Sequence, residues 1–232
     1  MALSKYDSTR GTTNLARIAR AILGPCTDVL RDVLTKEITP PNLKKELNKY
    51  PNKYRISKHQ KQVVKNGDYS KFDISLLYMF LRNLGSIPEH KNKWGTDPDP
   101  YDKSVSANIE RIKNLRNEWG HFTDLSLSDS DFEQHWKIIF QTVKDLEGYL
   151  GATTVYQDAL NNLKTCCMDP NSIQAYIKKL LWVEQLVTDL TDLKEDVKQI
   201  KKTIEPSSLT VSVSRKIDFD YGHTANKPKE GK

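Results

Sequence analysis

The apolar residues of this chain recur at intervals of three and four positions along most of its length. Leu15, Ile18 and Ile22 form one such stripe. This spacing matches the 3.6-residue turn of an α-helix and not the two-residue repeat of a β-strand. The chain is therefore predicted to be all-α, and its 232 residues suit one sizeable domain with an appendage.

Glycine and proline predict where these helices break. We expect Gly24-Pro25 to end the first helix and to start a second, which ends at Pro40-Pro41. Residues 72–84 are apolar almost all round, which predicts the central core helix. Residues 85–103 contain three prolines and predict a long loop, of the kind that is usually functional or mobile.

Hydroxyl and carboxylate side chains predict where two later helices begin. Ser104 is expected to cap a helix that ends near Gly120. Asp129 or Ser130 is expected to cap the helix that follows.

The sequence changes character after Gly151. We expect an N-terminal tail (1–13), a helical-bundle domain (14–151), a helical extension (152–205) and a disordered polar tail (206–232). Seven residues of the extension occupy heptad a and d positions: Val183, Leu186, Leu190, Leu193, Val197, Ile200 and Ile204. β-Branched a positions with mainly leucine at d predict a parallel coiled coil, and hence a homodimer that also offers a surface to other proteins. The alternative is a long helix that packs back on its own domain.

Composition excludes several classes of protein. No apolar run approaches the roughly 18 residues of a membrane span, so no membrane association is expected. Three cysteines predict no disulfide framework, which favours a reducing, cytoplasmic location. Neither GxGxxG nor GxxxxGK[ST] occurs, and no paired CxxC motif does, so we expect no nucleotide cofactor and no metal.

Positive charge is concentrated near the N-terminus. The net charge is +6, but residues 1–65 hold 14 basic and 5 acidic side chains. Eight cations and two tyrosines fall between residues 44 and 65: Lys44, Lys45, Lys49, Tyr50, Lys53, Tyr54, Arg55, Lys58, Lys61 and Lys65. Lysines bind phosphates and tyrosines stack on unpaired bases, which predicts a track for single-stranded RNA. The alternative is a solvated helix face.

The segment that points most directly to chemistry is NIERIKNLRNEWGHF, residues 108–122. Arg116 continues the apolar stripe of its helix, so its guanidinium must be paired or face a polar cleft. His121 lies about 140° further round an ideal helix, and Gly120 offers a bend that would bring it back. A guanidinium and an imidazole suit metal-independent RNA cleavage, although such a pair is more often structural.

Asp73 is an acidic residue at the start of the most hydrophobic predicted helix. If it is buried, it needs a partner, and Arg116 is the natural candidate. The alternative is that Asp73 binds the free amides of the first helical turn.

The run Arg116-Asn117-Glu118-Trp119-Gly120-His121 resembles the R-x4-6-H motif of the HEPN superfamily. Four ordered blocks resemble, more specifically, the HEPN domain of the DAZ-interacting RNA-binding ubiquitin ligase and its animal relatives. These blocks are FDISLLYMFLRNL, KWGTDPDP, ANIERIKNLRNEWGHF and DFEQHWKIIFQTVKDL, and the resemblance covers about residues 14–150.

The resemblance implies a dimeric helical bundle in which two such motifs face one cleft. Arg116 would stabilise the scissile phosphate, His121 would transfer protons, and Asn117 would orient the pair. The implied activity is a metal-independent endoribonuclease acting on single-stranded RNA. The alternative is a non-catalytic HEPN module that assembles protein or RNA partners within an immune or regulatory protein. No RING-type Cys/His array is present, so ligase activity is not implied.

Overall fold

The structure is a computed structural model that describes residues 9–49, 58–120, 126–169, 171–173, 175–176 and 178–179. Within these ranges the chain forms eight α-helices and no β-strand, which confirms the all-α prediction. The helices are α1 (Arg10–Ala21), α2 (Thr27–Glu37), α3 (Pro40–Lys49), α4 (Lys58–Asn66), α5 (Ile74–Leu84), α6 (Val105–Gly120), α7 (Asp129–Leu150) and α8 (Val155–Thr165).

The first two helices follow one another without a break in the helical backbone, so the predicted break at Gly24-Pro25 is wrong. A π-helical turn, Ile22–Cys26, joins α1 directly to α2. The wider turn accommodates Pro25, which has no amide hydrogen to donate. Ile22 and Cys26 are fully buried, and the Thr27 hydroxyl donates to the Ile22 carbonyl at 2.8 Å. Burial of the flanking apolar side chains thus keeps the helix continuous where local sequence favours a stop.

The helix at the centre of the bundle is α7. It contacts α1, α2, α6 and α8, whereas α5 packs mainly against α2 and α6. The expectation that residues 72–84 form the central helix is therefore wrong, although α5 does bury Leu77, Phe80 and Leu81 completely. The 22-residue length of α7 explains its position, because one apolar stripe runs along several neighbours.

The helix caps follow the predicted chemistry at one site and depart from it at another. The Ser104 hydroxyl accepts the Ala107 amide at 3.3 Å, as expected for the start of α6. α7 is capped by Ser128, whose hydroxyl accepts the Asp131 amide, and not by Asp129 or Ser130. Asp129 instead accepts the Asn14 side-chain amide at 2.8 Å and so ties α7 to α1.

A buried carboxylate from α7 caps α8. Glu147 has no exposed surface, and its oxygens accept the backbone amides of Tyr156 at 2.7 Å and Gln157 at 3.1 Å. The side-chain amide of Gln157 donates a further bond of 2.9 Å. Thr154, the residue before α8, makes no side-chain capping bond. A carboxylate 9 and 10 residues upstream thus accepts the amides of Tyr156 and Gln157, the second and third residues of the helix.

The coiled-coil residues between Val183 and Ile204 and the tail beyond them lie outside the described residues, and so does the N-terminal tail up to residue 8. Among the described residues, no helix is both long and apolar enough to cross a membrane.

Replacing Glu147 by alanine is expected to lower the free energy of unfolding by about 2 to 4 kcal/mol, because buried amide donors lose their acceptor. Urea unfolding followed by circular dichroism measures this change. Glu133→Ala is the matched control, since Glu133 is exposed and its ion pair with Lys164 lies at the surface. Equal stability of the two variants would contradict the capping role.

Candidate functional site

The motif helix α6 buries an unusual number of polar groups in its first half. Ser106, Asn108 and Glu110 are each at most 1% exposed, alongside Ile109 and Ile112. Buried polar groups persist only when they have partners. The partners of these side chains come mainly from the loop of residues 85–104.

The Glu110 carboxylate accepts hydrogen bonds from three segments of the chain. It accepts the Tyr78 hydroxyl of α5 at 2.8 Å, the Gly95 amide of the loop at 3.0 Å and the Lys113 ammonium at 3.0 Å. Gly95 has a φ of +90°, which favours glycine at the position that turns this amide toward α6. Glu110 is thus the point where α5, the loop and α6 are joined.

The protonation states in this cluster follow from those contacts. Burial alone would raise the pKa of the Glu110 carboxyl, but the bonds from Gly95, Tyr78 and Lys113 and the charge of Lys113 outweigh it, so the pKa is below its ordinary value of 4.5. Burial, and next the Glu110 carboxylate, raise the pKa of Tyr78 to about 12. Glu110 is therefore an anion and Tyr78 a donor at neutral pH.

Side chains of α6 fix the rest of the loop. Arg111 Nη2 donates to the Asp99 carbonyl at 2.7 Å, and the Asn114 amide donates to the Asp97 carboxylate at 2.8 Å. Asn108 donates to the carbonyl of Lys103 at 3.1 Å. The predicted loop is present, and these bonds hold it against α6 at successive points.

Arg116 lies in the last part of α6, between the buried residues Leu115 and Trp119. It is half-buried, and its Nη1 donates to the Asn117 side-chain oxygen at 3.0 Å. The resemblance implied this kind of contact when it gave Asn117 an orienting role. Asn117 lies within about 60° of Glu110 and Asn114 around the helix axis, so it extends the polar side of α6 toward its C-terminal end.

Asp73 does not support Arg116, so that prediction is wrong. Asp73 is exposed, and its carboxylate accepts the Leu76 amide at 2.8 Å as the N-cap of α5. The prediction assumed burial because the following residues are apolar, but a cap residue precedes the helix and points to its free amides. The alternative interpretation of Asp73 is the correct one.

A histidine that the sequence analysis did not single out contacts the motif. His135 of α7 lies with Nε2 3.2 Å from the Glu118 carboxylate and Nδ1 2.7 Å from the Asp131 carbonyl. Its ring meets the Trp119 indole edge-on, with centroids 4.9 Å apart. These contacts fix the end of α6 against α7. No local sequence signal pairs residues 118 and 135, because the contact depends on how two helices pack.

His121 lies outside the described residues, as do residues 122–125. The described chain on either side of them is anchored. Trp119 is buried, and the Leu127 amide donates to the Gly11 carbonyl at 3.1 Å. A Cβ on Gly11 would overlap the Ser126 hydroxyl, so glycine permits this close approach of α1.

The described cations of the predicted RNA track lie on two helices. Lys44, Lys45 and Lys49 are exposed on α3, which is anchored by the buried Leu43, and Lys61 and Lys65 are exposed on α4. Tyr50, Lys53, Tyr54 and Arg55 lie outside the described residues, and so does the Lys58 side chain.

Glu110→Gln is expected to lower the free energy of unfolding at neutral pH and to make that free energy depend less on pH between 7 and 3. Because the folded-state pKa of Glu110 is below the unfolded value, its contribution is complete above about pH 4.5 and is lost as pH falls through the folded-state pKa. Urea unfolding at several pH values from 7 down to 3 measures this difference. An unchanged pH profile in the variant would contradict the role given to Glu110. Glu89→Gln, the same change at an exposed residue of the loop, is the control.

Comparison with known families matches residues 28–176 to the DZIP3/hRUL138-like HEPN family. Neither the curated proteins nor the solved structures provide a match. The matched region runs from α2 past the end of α8 and includes the anchored loop and the whole of α6. It covers more than half of the 232 residues and confirms the resemblance noted from the four sequence blocks. The chain belongs to the DZIP3/hRUL138-like HEPN family.

Proposed function

We propose that this HEPN protein is an RNA-targeting, metal-independent endoribonuclease that cleaves single-stranded RNA. The observation that carries the proposal is the placement of Arg116: half-buried on a fixed helix, with its guanidinium held by Asn117 at 3.0 Å. A guanidinium that is oriented before substrate arrives stabilises charge on a phosphate without reorganising. In the sequence, His121 directly follows Gly120, the last residue of that helix.

The proposed reaction uses the RNA's own hydroxyl as nucleophile. The 2′-oxygen forms a bond to phosphorus while the bond from phosphorus to the 5′-oxygen breaks. The imidazole of one His121 accepts the 2′-proton, and a second imidazole protonates the departing 5′-oxygen. Arg116 binds the non-bridging oxygens, whose negative charge grows during the reaction. The products are a 2′,3′-cyclic phosphate and a 5′-hydroxyl.

Two imidazoles at one phosphate require two copies of the motif. We therefore propose a homodimer in which both Arg116-His121 pairs face one cleft. The heptad residues Val183 to Ile204 would hold the protomers together and raise their effective concentration.

The exposed lysines of α3 and α4 support binding of the substrate backbone. Lys44, Lys45 and Lys61 project from helices that are anchored by Leu43 and Val64, which are at most 6% exposed. Because the helices are anchored, their lysines keep positive charge at defined places on the surface, and each phosphate that a lysine neutralises releases counterions.

Cleavage of an unstructured, end-labelled RNA in EDTA tests the activity. We expect wild-type protein to produce cyclic-phosphate ends. His121→Ala should lower the rate by about 100-fold or more, and Arg116→Ala by about 100- to 1000-fold. Asn117→Ala should have a smaller effect, because it removes only the group that orients Arg116.

Lys91→Ala is the charge-matched control for Arg116→Ala, since Lys91 is exposed on the anchored loop. The absence of cleavage by a protein verified as a dimer would contradict the nuclease proposal. RNA binding without cleavage would instead favour a non-catalytic HEPN module.

The salt dependence of RNA binding tests the lysine track. The affinity of wild-type protein for a short poly(U) strand should fall steeply with salt, with a slope of about −0.7 in log–log units for each phosphate neutralised. Substituting glutamine at both Lys44 and Lys45 should reduce that slope by about 1.4. Glutamine at Lys91 and Lys144 makes the same change in net charge elsewhere and should leave the slope unchanged. Equal slopes for the two double variants would contradict the track.

A further inference from the structure

A cavity of about 510 Å³ lies between the turn of the anchored loop and the outer face of α7. Two large apolar side chains stand exposed along it: Tyr101 is 90% exposed and Ile138 is 41% exposed. Val155 is the one other exposed large apolar residue in the part of the chain that the structure describes. The exposed apolar surface is therefore concentrated at this cavity, which is typical of a recognition site.

The turn that carries Tyr101 is rigid. The Asp102 amide donates to the Asp99 carbonyl at 3.0 Å, and the Tyr101 amide donates to the Asp99 carboxylate at 2.9 Å. Arg111 Nη2 holds the same Asp99 carbonyl from α6 at 2.7 Å. An aromatic side chain on a preorganised turn contributes a large contact area at a low entropic cost.

The Tyr101 hydroxyl, unlike the hydroxyls of four other tyrosines of the fold, has no hydrogen-bond partner among the described residues. The hydroxyls of Tyr69, Tyr78, Tyr149 and Tyr156 donate to Ile38, Glu110, Glu37 and Asp32 respectively. Within the described residues, the Tyr101 hydroxyl makes no hydrogen bond. It is therefore available to an acceptor on a second molecule.

The charged groups that line the cavity differ in whether they already have a hydrogen-bond partner. The Asp102 carboxylate accepts the Ser104 amide at 2.8 Å, and the Asp145 carboxylate accepts the Gln141 side chain at 2.7 Å. Lys103 and Lys137 are exposed, and across the described ranges neither ammonium group is paired. Among the charged groups of the lining, the two that remain unpaired beside the apolar surface are therefore these ammonium groups, and they complement carboxylates.

The same surroundings argue against RNA as the occupant. The lining of the cavity itself contains the carboxylates of Asp102 and Asp145. A nucleic acid carries a phosphate on every nucleotide and would meet these carboxylates. A peptide can place one carboxylate beside each lysine and an apolar side chain between them.

We propose that this cavity, the Tyr101 pocket, is a docking site for a partner protein. The pocket is lined by Tyr101, Ile138, Lys103, Arg111 and Lys137 among other residues. The segment that it binds inserts a large apolar side chain and carries Asp or Glu beside it. None of the lining residues belongs to the Arg116-Asn117-His121 motif, so this inference is independent of the nuclease proposal.

The test selects ligands without assuming a sequence. Full-length protein is immobilised, and a displayed library of random dodecapeptides is enriched on it after depletion on the Tyr101→Ala variant. Enriched peptides are synthesised with a fluorescent label, and their dissociation constants are measured by anisotropy. We expect peptides that combine a large apolar residue with nearby Asp or Glu. Tyr101→Ala and Lys137→Glu should each weaken binding by about tenfold or more.

Two matched variants control for non-specific effects. Val155→Ser removes an exposed apolar side chain outside the pocket, and Lys71→Glu reverses an exposed charge elsewhere; both should bind the peptides as wild type does. Because the Tyr101 ring is 90% exposed, Tyr101→Ala should unfold at the wild-type temperature, so lost binding is not lost folding.

Three results would overturn the proposal. One is a selection that enriches nothing over the Tyr101→Ala protein, and another is enrichment of basic peptides. The third is loss of single-stranded RNA binding in Tyr101→Ala without any peptide bound, which would assign the surface to RNA.

Discussion

The buried carboxylate of Glu110 is the interaction on which the arrangement of this HEPN domain depends. An anion with no exposed surface is tolerated because a tyrosine of α5, an amide of the loop and a lysine of α6 all donate to it. Removing it would leave donors from three segments without an acceptor. The carboxylate therefore fixes the position of the loop and the orientation of α6 at the same time, and both candidate surfaces of the molecule lie on these elements.

The two surfaces use different parts of one helix, α6. Near its C-terminal end, α6 carries Arg116 oriented by Asn117, and the contact of His135 with Glu118 fixes that end against α7. Nearer its start, Arg111 holds the turn that exposes Tyr101. Asn117, which orients Arg116, and Arg111, which holds the turn of the Tyr101 pocket, thus lie on the same helix but make no hydrogen bond to each other.

The sequence predicted those features that depend on local residue pattern. It failed for features that depend on contacts between residues far apart in the chain. Three- and four-residue periodicity predicted the all-α class, and the Ser104 cap and the long loop were also confirmed. The break at Gly24-Pro25 was wrong, because burial of Ile22 and Cys26 outweighs a local stop. The sequence shows an i,i+3 pair of Glu110 and Lys113, but not that Glu110 is buried, since its other donors lie 15 and 32 residues away. For Asp73 the sequence left open a partner in Arg116 and a capping role, and the structure shows the capping role.

Binding of an uncleavable RNA to Arg116 is the measurement that tests the central claim most directly. A short 2′-O-methyl oligonucleotide lacks the nucleophile, so binding is observed apart from cleavage. We predict that NMR of ¹⁵N-labelled arginine side chains will show the Arg116 guanidinium resonance, identified by its loss in Arg116→Lys, shifting on saturation, and shifting less in Asn117→Ala. Saturable binding that moves other arginine resonances and leaves that of Arg116 in place would contradict a phosphate site at the end of α6.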